Sequence, residues 1–158
     1  VLWKRNFDAE WLKLHVEHLY CMGGYRFAPE NEQKLFKVLA SKSLDDCLTQ
    51  FRHRDDVSFV KFATPAAVKK YVAGYWLSDD AQVALINRGN GELIKELISR
   101  YSPEHGMCWQ AEVELVKLGA TEAVRQYIAF HSMCWEALSL LKENFPAVAE
   151  EYYAKHPY

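Results

Sequence analysis

The sequence predicts an all-α fold: a right-handed α-solenoid of about five stacked antiparallel helix pairs behind an N-terminal capping helix. Three observations predict it. Helix breakers are sparse, with 7 Gly and 5 Pro in 158 residues, fewer than the tight turns of a β-sandwich require. A short signature is repeated: His105-Gly-Met-Cys-Trp-Gln-Ala111 and His131-Ser-Met-Cys-Trp-Glu-Ala137 agree at five of seven places, 26 residues apart. Around it, one apolar spacing recurs in three successive segments.

Those segments are Val57–Tyr75, Val83–Tyr101 and Val113–His131, offset by 26 and 30 residues. Each opens on an apolar run (Val57, Phe59, Val60, Phe62; Val83, Leu85, Ile86; Val113, Leu115, Val116, Leu118). A small residue follows at one aligned place, Ala63, Gly89 or Gly119. The second half then shows the spacing i, i+3, i+4, i+7: Val68, Tyr71, Val72, Tyr75; Ile94, Leu97, Ile98, Tyr101; Val124, Tyr127, Ile128, His131. That spacing places four side chains on one helix face. Each unit therefore reads as helix, tight turn, helix.

Punctuation residues mark the ends. Thr64-Pro65 and Ser102-Pro103 pair an N-cap with Pro at the first helical position. Ser78-Asp79-Asp80 and Asn90-Gly-Glu92 combine a cap with first-turn acids. Gly89 and Gly119 can take positive φ and close the helix before them. The expected helices are 6–21, 30–41, 44–53, 56–62, 65–75, 79–88, 91–101, 104–118, 121–131, 133–143 and 146–155. A helix of about ten residues does not hold itself together in water. Each must bury its apolar stripe on neighbours, and stacked copies do so in series. A compact helical bundle is the alternative.

A single domain is expected over 1–158. Residues 1–27 read as an N-terminal cap, with Trp3, Phe7, Trp11, Leu14 and Leu19 before the break at Cys21-Met-Gly-Gly-Tyr25. Residues 28–54 form a degenerate repeat and 55–158 the clear ones. The chain begins at Val1 rather than Met, as a processed product or a piece of a longer protein would.

The segments Ala-Gln-Val-Ala-Leu-Ile-Asn-Arg-Gly-Asn at 81–90 and Ala-Glu-Val-Glu-Leu-Val-Lys-Leu-Gly-Ala at 111–120 resemble bacterial α-solenoid proteins of short helical-pair repeats, in the broad HEAT-like class. The resemblance covers 55–158 well and 28–54 loosely. It is architectural, and the units are shorter than the usual HEAT repeat of about 40 residues. It implies scaffolding and macromolecular recognition without naming a ligand.

Composition narrows the role. The net charge is −2, whereas a dedicated nucleic-acid module is usually basic. Residues 1–54 carry nine Lys/Arg against seven Asp/Glu; residues 102–158 carry four against eight. Four cysteines, Cys21, Cys47, Cys108 and Cys134, lie in apolar helix-like stretches. There they read as small hydrophobes in a reducing, cytoplasmic setting rather than as a disulfide framework. No apolar run of about 18 residues is present, so no membrane span is expected.

Four constellations are candidate sites. Lys69, Lys95 and Arg125 hold one aligned position in three second helices, and Lys70 adjoins the first. A cation row could meet phosphates or an acidic partner; a solvated face is the competing reading. His-x-x-Cys occurs at His18/Cys21, His105/Cys108 and His131/Cys134. Such pairs could chelate zinc, but a copied repeat explains them more simply and no metal is expected. The pairs Asp45-Asp46, Asp55-Asp56 and Asp79-Asp80 sit where first-turn acids complement a helix dipole. Tyr75, Trp76, Tyr101, Trp109, Tyr127 and Trp135 have the spacing of core aromatics, with Trp76 and Trp109, near turns, best placed for exposure. No nucleophile with a base, P-loop or dinucleotide fingerprint is present. The expectation is a non-enzymatic scaffold with no cofactor. It would bind a protein or peptide through Lys69, Lys70, Lys95, Arg125, Trp76 and Trp109. Binding of a nucleic-acid backbone, and a structural segment of a larger protein, are the alternatives.

Overall fold

The computed structural model describes residues 56–101 and 105–157. The capping helix expected over 1–27, the degenerate repeat over 28–54, and Ser102 and Pro103 lie outside them. Among the described residues all regular structure is helical. The helices are α1 (Asp56–Phe62), α2 (Pro65–Gly74), α3 (Asp79–Asn87), α4 (Gly91–Arg100), α5 (Trp109–Lys117), α6 (Thr121–Ile128), α7 (Trp135–Asn144) and α8 (Pro146–Lys155). No helix among these residues is long and apolar enough to cross a membrane.

The contacts divide the chain into two units, Val1–Tyr71 and Val72–Tyr158. In the first, the Thr64 hydroxyl accepts the Ala67 amide at 3.3 Å, with Pro65 as the first residue of α2. The rings of Phe59 and Tyr71 meet at 4.9 Å. Val60, Val68 and Phe59 are buried.

In the second unit the same local rules recur. The Ser78 hydroxyl accepts the Ala81 amide and caps α3. Asn90 Oδ1 accepts the amides of Glu92 and Leu93 at 3.1 and 3.2 Å and caps α4. Gly89 and Gly119 both have φ of 73°, the left-handed conformation that a non-glycine residue adopts only with strain. Each donates its amide back to the helix it ends, to Ile86 and Val116 respectively. The third pair is turned by Phe145 (φ −138°) and Pro146 at the first position of α8.

Packing follows the sequence repeat. First helices touch in series, α3 on α5 and α5 on α7. Second helices do likewise, α4 on α6 and α6 on α8. Within pairs, α3 meets α4, α5 meets α6 and α7 meets α8. Leu85, Ile86, Leu93, Leu97, Leu115, Tyr127 and Ile128 are fully buried between them. Burying such a side chain contributes about 1.5–3 kcal/mol, which short helices cannot gain alone.

Two expected boundaries move. The helix predicted over 104–118 begins only at Trp109, because Gly106 turns with φ of 51° and Cys108 is extended. The helix predicted to reach 131 ends at Ile128; His131 lies beyond it and is still buried. A side chain can keep the helical face without the helical backbone when a tertiary hydrogen bond holds it.

Candidate docking edge

The loops that join one helix pair to the next are 75–78, 101–108 and 129–134. They are built alike. Leu77, Met107 and Met133 are buried just before the N-caps Ser78, Cys108 and Cys134. A buried residue before the cap fixes the angle at which the chain enters the helix.

A polar ladder ties the Cys108 and Cys134 caps to the pair before each. Gln82, buried in α3, accepts the Cys108 amide on Oε1 at 2.9 Å. Its Nε2 donates to the Leu77 carbonyl at 3.3 Å. Glu112, buried at the aligned place in α5, accepts the Cys134 amide on Oε2 at 2.6 Å. Its Oε1 accepts the Tyr127 hydroxyl at 2.7 Å. That hydroxyl in turn accepts the Met107 amide at 3.0 Å. Gly106 makes room for the approach: a Cβ there would stand 3.2 Å from the Tyr127 oxygen. Burial, then the hydrogen bond and charge of Glu112, push the Tyr127 phenol well above its ordinary range. Tyr101, whose hydroxyl donates to the Leu77 carbonyl at 3.3 Å, is pushed up to about 12, mainly by burial.

Histidines repeat the device on the second helices. His131 stacks on Tyr127 at 4.7 Å and its Nε2 meets the Tyr101 carbonyl at 3.1 Å. His156 lies against Tyr152 at 4.6 Å and its Nε2 meets the Ile128 carbonyl at 3.0 Å. Each satisfies a carbonyl at the end of the preceding second helix, which otherwise has no intrahelical partner. His131 is thereby committed to the backbone. The expected His-Cys helix faces are not formed, because His105, Cys108, His131 and Cys134 all lie in loops or at caps. No group of three His, Cys, Asp or Glu among the described residues is placed to hold a metal ion.

Cys108 and Cys134 are not the core hydrophobes expected, and Cys21 and Cys47 lie outside the described residues. Cys108 and Cys134 are half-buried caps. Their thiols donate to the carbonyls of Asp79 at 3.7 Å and Trp109 at 3.8 Å. Burial raises the Cys108 thiol, and burial followed by Glu112 pushes Cys134 up to about 11. Such thiols are poor nucleophiles at neutral pH. Peptide-resolved iodoacetamide labelling is therefore expected to be slow at both residues at pH 7.5 and to accelerate only above pH 9. The same shifts set an alkaline limit. A thiol or phenol with a raised folded pKa contributes stability below its unfolded value and loses it as pH climbs through the folded one. For Cys134, from 9.0 to about 11, and Tyr101, from 10.0 to about 12, the melting temperature should fall between pH 9 and 12.

Along this edge large aromatics are left in solvent. Trp135 is 75 % exposed, Phe130 64 %, Trp109 55 % and Trp76 48 %. Trp109 and Trp135 are the first residues of α5 and α7, so they occupy one place in adjacent repeats. Neither indole meets another ring among the described residues. Trp76 is partly engaged: the Arg100 guanidinium lies 4.3 Å over its ring, with Tyr101 and His105 edge-on at 4.9 and 5.2 Å. Trp135 corrects the expectation of a core residue; its spacing copies that of Trp109, and both project from a helix start.

The predicted cations divide. Lys69 and Lys70 are exposed on α2, in the first unit. In the second unit Lys95 pairs with Glu92 at 3.4 Å. Arg125 is held by Glu122 at 2.6 Å and by both oxygens of Glu151 at 3.0 and 3.1 Å; these hydrogen bonds raise its pKa. Of the aligned cations, Lys95 and Arg125 are thus paired with neighbouring carboxylates. Asp79 and Asp80 occupy the first turn of α3 and Asp56 that of α1, where acids complement the helix dipole. No family model matches the chain, and neither curated proteins nor solved structures give a match.

Proposed function

We propose that the chain is a right-handed α-solenoid of antiparallel helix pairs, in the HEAT-like manner. It acts as a non-enzymatic scaffold that docks a protein or peptide segment along the edge bearing Trp76, Trp109 and Trp135. One observation carries this reading: two indoles at the same place in adjacent repeats stand 55 % and 75 % exposed while the apolar interior beneath them is closed. An exposed Trp is the residue type that most often anchors an interface, and repetition at one edge presents such anchors at the helix packing interval, about 8–10 Å. The neutralised Lys95 and Arg125 lend less support to a phosphate-binding face.

Photoreactive benzoylphenylalanine at positions 109 and 135 tests it. A partner crosslinked at both positions is expected. Its affinity for the unlabelled protein should fall at least about tenfold in Trp109→Ala or Trp135→Ala and change little in Lys95→Glu. Binding that ignores both tryptophans but fails in Lys95→Glu and Arg125→Glu would replace the aromatic edge with the cation row. Retention of nucleic acid at low salt, lost steeply as salt rises, would instead favour a backbone-binding solenoid.

A further inference from the structure

Resting on that reading, we propose that the segment docked at Trp109 and Trp135 is cationic, an extended peptide presenting arginine or lysine side chains to the two indoles. Backbone placement puts the relevant residues in one row. The Cys108 thiol reaches the Asp79 carbonyl and the Cys134 thiol reaches the Trp109 carbonyl, at 3.7 and 3.8 Å. The starts of α3, α5 and α7 therefore lie side by side, bearing Asp79-Asp80, Trp109-Gln110 and Trp135-Glu136 in succession.

Three features of the row select a cation. Its charged members, Asp79, Asp80 and Glu136, are all acidic and exposed, and none is in an ion pair among the described residues. Arg100 and Lys155, which end second helices, pair with none of them. Gln110, the remaining polar member, brings no positive charge to the row. The protein also supplies its own precedent: at Trp76 the indole is covered by a guanidinium, that of Arg100, at 4.3 Å. Indole faces attract cations through the ring quadrupole, and carboxylates beside them add a charge-assisted hydrogen bond for guanidinium or ammonium. An acidic segment would meet three exposed carboxylates, and a neutral one would leave them without a counter-charge.

Fluorescence anisotropy of three labelled peptides of equal length, Gly-Arg, Gly-Ser and Gly-Glu repeats, tests the inference on the full chain at low and physiological salt. The Gly-Arg peptide is expected to bind at least about tenfold more tightly than the other two and to weaken as salt rises. It should lose at least about tenfold in affinity in Trp135→Ala and in the double variant Asp80→Lys/Glu136→Lys. These residues are exposed, and circular dichroism checks that each variant is folded. If Gly-Ser or Gly-Glu binds as well as Gly-Arg, with Trp135→Ala still abolishing binding, the cationic occupant is wrong while the docking edge stands. If no peptide binds, or Gly-Arg binds without regard to Trp135→Ala, the inference is overturned. The docking edge itself then falls only if the crosslinked partner is also indifferent to Trp109 and Trp135.

Discussion

Replacing Glu112 with alanine is expected to cost about 3 kcal/mol of stability, from one buried and one part-buried donor left without acceptors at about 1–3 kcal/mol each, offset in part by relaxation around the site. Glu112 is 5 % exposed and serves the Tyr127 hydroxyl and the Cys134 amide together. The Tyr127 hydroxyl is buried, where water does not substitute readily, and the Cys134 amide is part-buried. For a chain of this length about 1 kcal/mol moves the melting temperature by roughly 2–4 °C, so Glu112→Ala should melt roughly 6–12 °C lower. Glu112→Gln should cost about 1 kcal/mol. Gln82 already performs the same task with an amide, accepting the Cys108 amide on Oε1, but one amide oxygen cannot serve two donors that a carboxylate serves with two. Urea titrations of both variants measure the difference. Equal losses would mean that a single amide acceptor preserves nothing of what the carboxylate supplies.

Leu115→Ala should be at least as damaging, at about 3–4 kcal/mol. Leu115 is fully buried in α5, the helix that touches α3 on one side, α7 on the other, and its partner α6. The cavity would therefore open at the middle of a series in which each pair is supported mainly by its neighbours. In the proposed solenoid stability is a sum of unit and interface contributions. The variant should lose cooperativity as well as stability: in hydrogen exchange the amides of α7 and α8 should open at lower free energy than those of α3 and α4. A uniform loss of protection across all six helices would instead describe a single undivided core.

Much of this architecture can be read in the residues. Gly89 and Gly119 mark turns because only positive φ closes those helices, and the apolar spacing of Ile94, Leu97, Ile98 and Tyr101 marks a buried face whatever lies opposite. The helix pairs of the described residues follow from such local rules. The ladder does not. Gln82 and Glu112 look like surface positions of amphipathic helices, and nothing short of the aligned Ala-Gln-Val and Ala-Glu-Val triplets hints that they point inward. Cys108 and Cys134 look like core thiols because Cys is a small hydrophobe in most contexts. Their role as caps depends on the extended backbone that Gly106 and the buried Met107 and Met133 impose. Trp135 looks like a core residue because spacing alone does not distinguish the first residue of a helix, which projects outward, from one a turn later. The pairing of Arg125 is hidden for a related reason: Glu151 lies 26 residues from it in sequence and 3.0 Å from it in space, and only the packing of α6 on α8 brings them together.

Gln82 of α3 and Glu112 of α5 each receive the cap amide that starts the next first helix, and these two bonds register one pair upon another. Nuclear Overhauser contacts of the Cys108 and Cys134 amide protons test it most directly. The account predicts cross-peaks from Cys108 to the side chain of Gln82 and from Cys134 to that of Glu112, both with slow hydrogen exchange. Cross-peaks from these two amides to unrelated helices, or rapid exchange at both, would contradict it.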